Sequence, residues 1–101
     1  MTRVIILALI GLLLAAITGC TSIEEDLCDA ECACEGCSPA QHSECLGDYD
    51  RDLREAEYRG CEGLYDDLVD CEDATGTCVA GDWKTSCKPE KDRFKACVDP
   101  K

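Results

Sequence analysis

The chain contains no asparagine and only one histidine, one tryptophan and one phenylalanine. Without asparagine there is no N-glycosylation acceptor. With a single imidazole, His42, there is no histidine-rich metal centre. Ser43 beside it does not make a nucleophile–base pair, because adjacent residues on a helix point about 100° apart; the expected role of His42 is a partly buried structural one on a helix edge. Positive charge is scarce as well: 10 Lys and Arg stand against 22 Asp and Glu, a formal net charge of -12. Such a chain has little to attract phosphates, which excludes nucleic-acid binding. Carboxylates are abundant, yet abundance on charged helices is no sign of general acid–base work, and no catalytic constellation stands out. The expectation is a protein that is not an enzyme and needs no cofactor or metal. At 101 residues, one domain is the ceiling.

The one long apolar run lies at the start. Met1, Thr2 and Arg3 give a short basic opening, residues 4–17 are almost unbroken in apolar character, and Ile17-Thr18-Gly19-Cys20 forms a small-residue junction ending in cysteine. This pattern resembles a bacterial lipoprotein signal with its lipobox. The resemblance implies that residues 1–19 are a cleaved signal peptide and that Cys20 receives a diacylglyceryl group on sulfur and an acyl group, such as palmitate, on its new amino terminus. It implies membrane lipid as a partner through Cys20 and export to the bacterial cell envelope. Thr21 after the acylated cysteine, rather than aspartate, resembles lipoproteins sorted to the outer membrane. A retained membrane helix fits less well: residues 4–19 make roughly 24 Å of helix, short of the roughly 30 Å hydrocarbon core. Parity favours lipidation too, since 11 cysteines are an odd number and modifying Cys20 leaves ten to pair.

Residues 20–27 then read as lipid attachment and a short tether that includes the first helix, and residues 28–101 as a cysteine-rich domain. Only fourteen large apolar side chains serve this mature chain, too few to hold it by burial alone. Ten cysteines at that density read as a disulfide scaffold in an oxidising compartment.

Start and stop signals throughout are helical, and no stretch alternates at period two. Ser22-Ile23-Glu24-Glu25 is a capping box opening a short helix to about Cys32. Ser38-Pro39-Ala40-Gln41 is a second, with proline at the first helical position, followed by His42, Leu46, Tyr49, Leu53 and Ala56 at steps of four and three. Gly60 ends that helix. Cys61, Leu64, Leu68 and Cys71 repeat the spacing on a third that closes near Gly76. Pro89 starts a last helix through Phe94 and Cys97, stopped by Pro100. Residues 75–86 read as a loop holding Trp83, a candidate interface anchor or an equally plausible filler of a gap in the core. The expected fold is all-α: a small disulfide-stapled helical hairpin or bundle of three to four short helices.

Nine residues separate Cys61 from Cys71, and nine separate Cys87 from Cys97. On helices this places each pair about 15 Å apart on roughly one side. Two such segments laid antiparallel are clamped at both ends if Cys61 pairs with Cys97 and Cys71 with Cys87. The arrangement is similar, in geometry, to the twin nine-residue cysteine motif of the coiled-coil-helix hairpin proteins, over roughly two fifths of the chain. Helix lengths place Cys45 about level with Cys78 across the turn at Gly60, which suggests a third bridge. Cys28, Cys32, Cys34 and Cys37 are then left to pair among themselves, although ten cysteines allow roughly a thousand connectivities.

Three sharper chemical readings carry less weight. Cys34-Glu35-Gly36-Cys37 has the gap of a redox dithiol or a zinc knuckle, but the first needs a strand-to-helix turn and the second usually two separated pairs. Asp48-Tyr49-Asp50-Arg51-Asp52 opens like a calcium loop but continues with Leu53 where glycine is needed and Arg59 where glutamate is. Asp66, Asp70 and Asp73 share one helix face of the kind that is usually solvated.

Charge is uneven along the mature chain. Residues 20–83 carry three basic and nineteen acidic side chains, and residues 84–101 six and three. One consequence is a basic last helix folded back onto acidic ones; another is a basic patch facing anionic lipid with the acidic face turned to a cationic partner. The functional expectation is a lipid-anchored, non-catalytic binding or structural module of the envelope with a protein partner the sequence does not name. The alternative is an inhibitor or immunity-type lipoprotein acting on a hydrolase or toxin.

Overall fold

A computed structural model describes residues 22–100. Residues 1–21, and with them the expected signal segment and Cys20, lie outside the described residues, as does Lys101. The described residues form four helices and one small ribbon: α1 (Ile23–Glu35), α2 (Pro39–Arg59), α3 (Glu62–Thr75), β1 (Thr77–Val79), β2 (Asp82–Lys84) and α4 (Lys88–Val98). It is a small disulfide-stapled helical protein. Among the described residues no helix is long and apolar enough to cross a membrane.

The helix ends follow from local chemistry. Ser22 Oγ accepts from Glu25 N–H at 3.1 Å. Ser38 and Gln41 form the reciprocal capping box, Oγ accepting from Gln41 N–H at 3.2 Å and Gln41 Oε1 from Ser38 N–H at 2.8 Å. Gly36 and Gly60 close α1 and α2 at φ 76° and 72°, left-handed values that cost a residue without Cβ little. α3 and α4 begin differently. Their N-cap residues are Cys61 and Cys87, neither of which caps through its side chain. Each is bonded to a cysteine on the other helix instead: Cys61 to Cys97 and Cys71 to Cys87. The two bridges clamp α3 and α4 at both ends, as the antiparallel hairpin requires.

α1 runs three residues beyond the expected Cys32, to Glu35, and it belongs to the body rather than to a tether. Leu27 is 3 % exposed and Cys28 fully buried, so the packed domain begins at Ile23, not at residue 28. The core joins Leu27 of α1, Ala56 of α2, Cys61, Tyr65 and Val69 around α3, and Phe94 and Val98 of α4. Tyr65 and Phe94 meet edge to face at 6.1 Å, and Tyr65 donates its hydroxyl to Glu24 at 3.0 Å, tying α1 to α3.

The expected Cys45–Cys78 bridge is not formed. Cys45 pairs with Cys28, Cys34 with Cys78, and Cys32 with Cys37. The reason is the placement of α1, which packs against α2, α3 and β2. Its buried Cys28 meets Cys45 directly, and its last turn carries Cys34 to the ribbon.

Residues 77–84, read as loop, form a two-stranded antiparallel ribbon with Cys78 opposite Trp83. Ala80 and Gly81 make its turn at φ 52° and 82°, both left-handed, as a type I′ hairpin turn requires. Trp83 is half-buried against the core, with its ring over Gly76: a Cβ added there would meet the indole at 2.2 Å. Gly76 itself is extended, φ -60°, so glycine stands there for room rather than for backbone freedom. Gly76→Ala is therefore expected to push the indole off its seat, costing about 1–3 kcal/mol. A thermal melt with tryptophan emission checks it; an unchanged melt and emission would refute this packing role.

Candidate functional site: an acidic interhelical cleft

α1, α2 and α3 enclose a cleft of about 460 Å³ whose rim gathers Glu31 and Glu35 from α1, Glu44, Asp48 and Asp52 from α2, and Glu72 from α3. Lys91 of α4 is the one cation lining it. Tyr49, Leu68 and the Cys32–Cys37 bridge contribute its less polar surface.

The helices impose this convergence. Residues 31 and 35, and residues 44, 48 and 52, follow steps of four, which stack carboxylates along one face of α1 and one face of α2. Cys28–Cys45 then draws those faces together, aided by His42 Nε2, 2.7 Å from Asp29 Oδ1. Like charges at that spacing weaken an isolated helix. Here the crosslinks hold them regardless.

The crowding registers in the acidities. Glu31 is pushed above its ordinary value by burial, then by Glu35 and Asp48. Burial raises Asp52, with Arg51 opposing and Asp48 adding to the rise. Burial raises Glu72, with Lys91 opposing and Glu31 and Asp52 adding to it. The Tyr49 hydroxyl is raised too, first by burial and then by Glu72 and Glu31.

Because these three carboxyls titrate higher in the folded chain, their ionisation costs the fold. The linked stability is fully present below the ordinary values, 4.5 for glutamate and 3.8 for aspartate, and is lost as pH rises through the raised folded values. Asp92, lowered by its hydrogen bond from Lys88, runs the other way but is fully exposed. The expected result is a higher melting temperature in mildly acidic than in neutral buffer, with added salt narrowing the gap. A lower one in mild acid would contradict the raised values that burial, and then crowding, give these carboxyls.

Neutralisation from within the fold is slight. Among the described residues the Lys and Arg ion pairs stay on single helices: Arg51 with Asp48 and Asp52, Arg54 with Asp50, Lys88 with Asp92, Arg93 with Glu90. α4 does fold back onto α3 and α2, yet bridges and apolar contacts carry that packing, and Lys91 alone reaches the cleft.

The other candidate residues are placed as follows. Cys34 and Cys37 are not bonded to each other, and with Cys28 and Cys32 they are consumed in three separate bridges, so they do not form a four-thiolate set. Asp48, Asp50 and Asp52 lie on helix α2, not in a loop; Asp48 and Asp52 line the cleft while Asp50 pairs with Arg54. Asp66, Asp70 and Asp73 are exposed on α3. Glu90 approaches Cys71 and Cys87, whose sulfurs are bonded to each other. The cleft was not foreseen as a unit, though the rows at 31–35 and 44–48–52 are its signature. It offers electrostatic attraction for a cationic group and, among its lining residues, no hydroxyl or thiol nucleophile paired with a base.

Comparisons with family models, with curated proteins and with solved structures found no match for this chain.

Proposed function

We propose that this chain is a lipid-anchored protein of the bacterial envelope, at the outer membrane, whose stapled helical domain is a non-catalytic binding module with the acidic cleft as its working surface. The observation that carries the binding role is the convergence of six carboxylates from three helices on one cleft with a single lysine. A cationic protein segment presenting lysines or arginines is the partner class such a surface fits best. The anchor rests on the leader and on Ile17-Thr18-Gly19-Cys20. It is supported by arithmetic: the five bridges use all ten cysteines of the described residues, and the eleventh is Cys20. At about 0.8 kcal/mol per buried methylene, its acyl chains would make attachment effectively permanent.

Titrating the oxidised domain with a lysine-rich peptide tests the surface. Binding that weakens with salt and is lost in a Glu31→Gln/Asp48→Asn/Glu72→Gln variant is expected. Equal binding by that variant would remove the cleft from the account. Inhibition of an envelope hydrolase on adding the domain would turn the reading to an inhibitor.

A further inference from the structure

The five bridges are not equally placed. Cys28, Cys61 and Cys87 are buried and their partners half-buried, and Cys32 and Cys37 are both half-buried. Cys34–Cys78 alone among them ends on an exposed residue, Cys78. That residue stands in β1, all three of whose residues are exposed.

The ribbon is also lightly held. Besides the bridge it is fixed through Trp83 alone, whose N–H donates to Glu35 Oε2 at 3.2 Å and whose half-buried indole lies over Gly76 against the core. No buried core residue lies on it. Everything around it is secured separately: Cys71–Cys87 closes the base of the segment carrying the ribbon, and Cys28–Cys45 holds α1 to α2.

We propose that Cys34–Cys78 is a redox latch, opened selectively by a dithiol reductant while the four-helix body stays folded. The reductant's thiolate attacks Sγ of exposed Cys78, forming a mixed disulfide and expelling the Cys34 thiolate, which takes a proton. The reductant's second thiol then attacks its own sulfur in the mixed disulfide and releases Cys78 as a thiol. Two electrons pass to the protein, and the reductant leaves as a disulfide. Opening frees the ribbon from α1 and removes its hold on Glu35, a residue of the acidic cleft. That consequence for binding rests on the function proposed above; the order of reduction does not, so the two fail separately.

The surroundings add a signature. Glu35 follows Cys34 and Glu31 is one helical turn before it; beside Cys78, Asp82 faces Val79 and Lys84 faces Thr77, so three carboxylates stand against one ammonium. These carboxylates repel an anionic thiol and attract a cationic one. Cysteamine is therefore expected to open the latch faster than 2-mercaptoethanesulfonate at equal thiolate concentration, with the ratio falling as salt is added.

The test is graded reduction of the oxidised full chain with dithiothreitol, quenched by iodoacetamide and mapped by peptide mass. Beyond any label that Cys20 takes before reduction, the first species is expected to gain two alkyl groups, on Cys34 and Cys78 only, with the helical circular dichroism retained and Trp83 emission shifted. Labelling of another pair first, or passage to full labelling with no two-group species, would overturn the proposal. A Cys34→Ser/Cys78→Ser variant should keep the helical signal and show the emission of the latch-open species; loss of its helices would overturn it equally.

Discussion

Reduction of all five bridges by excess reductant is expected to abolish the helical circular dichroism at room temperature, without denaturant. Each bridge is worth about 2–4 kcal/mol through the freedom it removes from the unfolded chain, and five contribute roughly 10–20, against the 5–15 or so that is the whole net stability of an ordinary domain. The apolar interior cannot make up the loss. Among the described residues nine are buried, and three of those are the half-cystines Cys28, Cys61 and Cys87 and one is Ala56. Two helices would lose their starting points as well, since α3 and α4 open at Cys61 and Cys87 with no side-chain cap to stand in. Retention of the helical signal after complete alkylation of ten thiols would show that the helices cohere without sulfur.

Phe94→Ala should be the most damaging single change that leaves every bridge in place. Phe94 is 6 % exposed, packs edge to face on Tyr65, and is the only phenylalanine of the chain. Truncation removes its buried area and leaves a cavity between α3 and α4 that two disulfides prevent from collapsing, a cost of about 3–5 kcal/mol. Chemical denaturation of the oxidised protein reads it as a fall in midpoint. Tyr58→Ala, at a residue 85 % exposed, is the matched control and should shift the midpoint little. Equal effects of the two would mean that the core has been wrongly placed.

Much of the helical frame was written in short-range chemistry. Ser22, Ser38-Pro39 and Gly60 mark helix ends by hydrogen-bonding or φ requirements that act within one turn, and the equal nine-residue cysteine intervals fix the α3–α4 hairpin because each sets two sulfurs on one side of its helix at matching spacing, so the antiparallel pair is clamped end to end. Cys28, Cys34, Cys45 and Cys78 were not legible in the same way. Their pairing depends on where α1 settles, which no residue within a turn of them specifies. The ribbon escaped because strands of three residues are too short to show alternation, and Ala80-Gly81 lacks the Asn-Gly signal of its turn. The cleft lay half in view: carboxylates at 31 and 35 and at 44, 48 and 52 announce two acidic faces, but only the Cys28–Cys45 bridge makes those faces meet.

One intact-mass measurement on the chain expressed in a bacterium, alkylated without prior reduction, bears most directly on the division of labour among the eleven cysteines. The account predicts a chain beginning at Cys20, heavier by its diacylglyceryl and acyl groups, with no alkyl group added to the other ten. A chain still carrying residues 1–19, an unmodified Cys20, or alkylation at any of the remaining cysteines would contradict it.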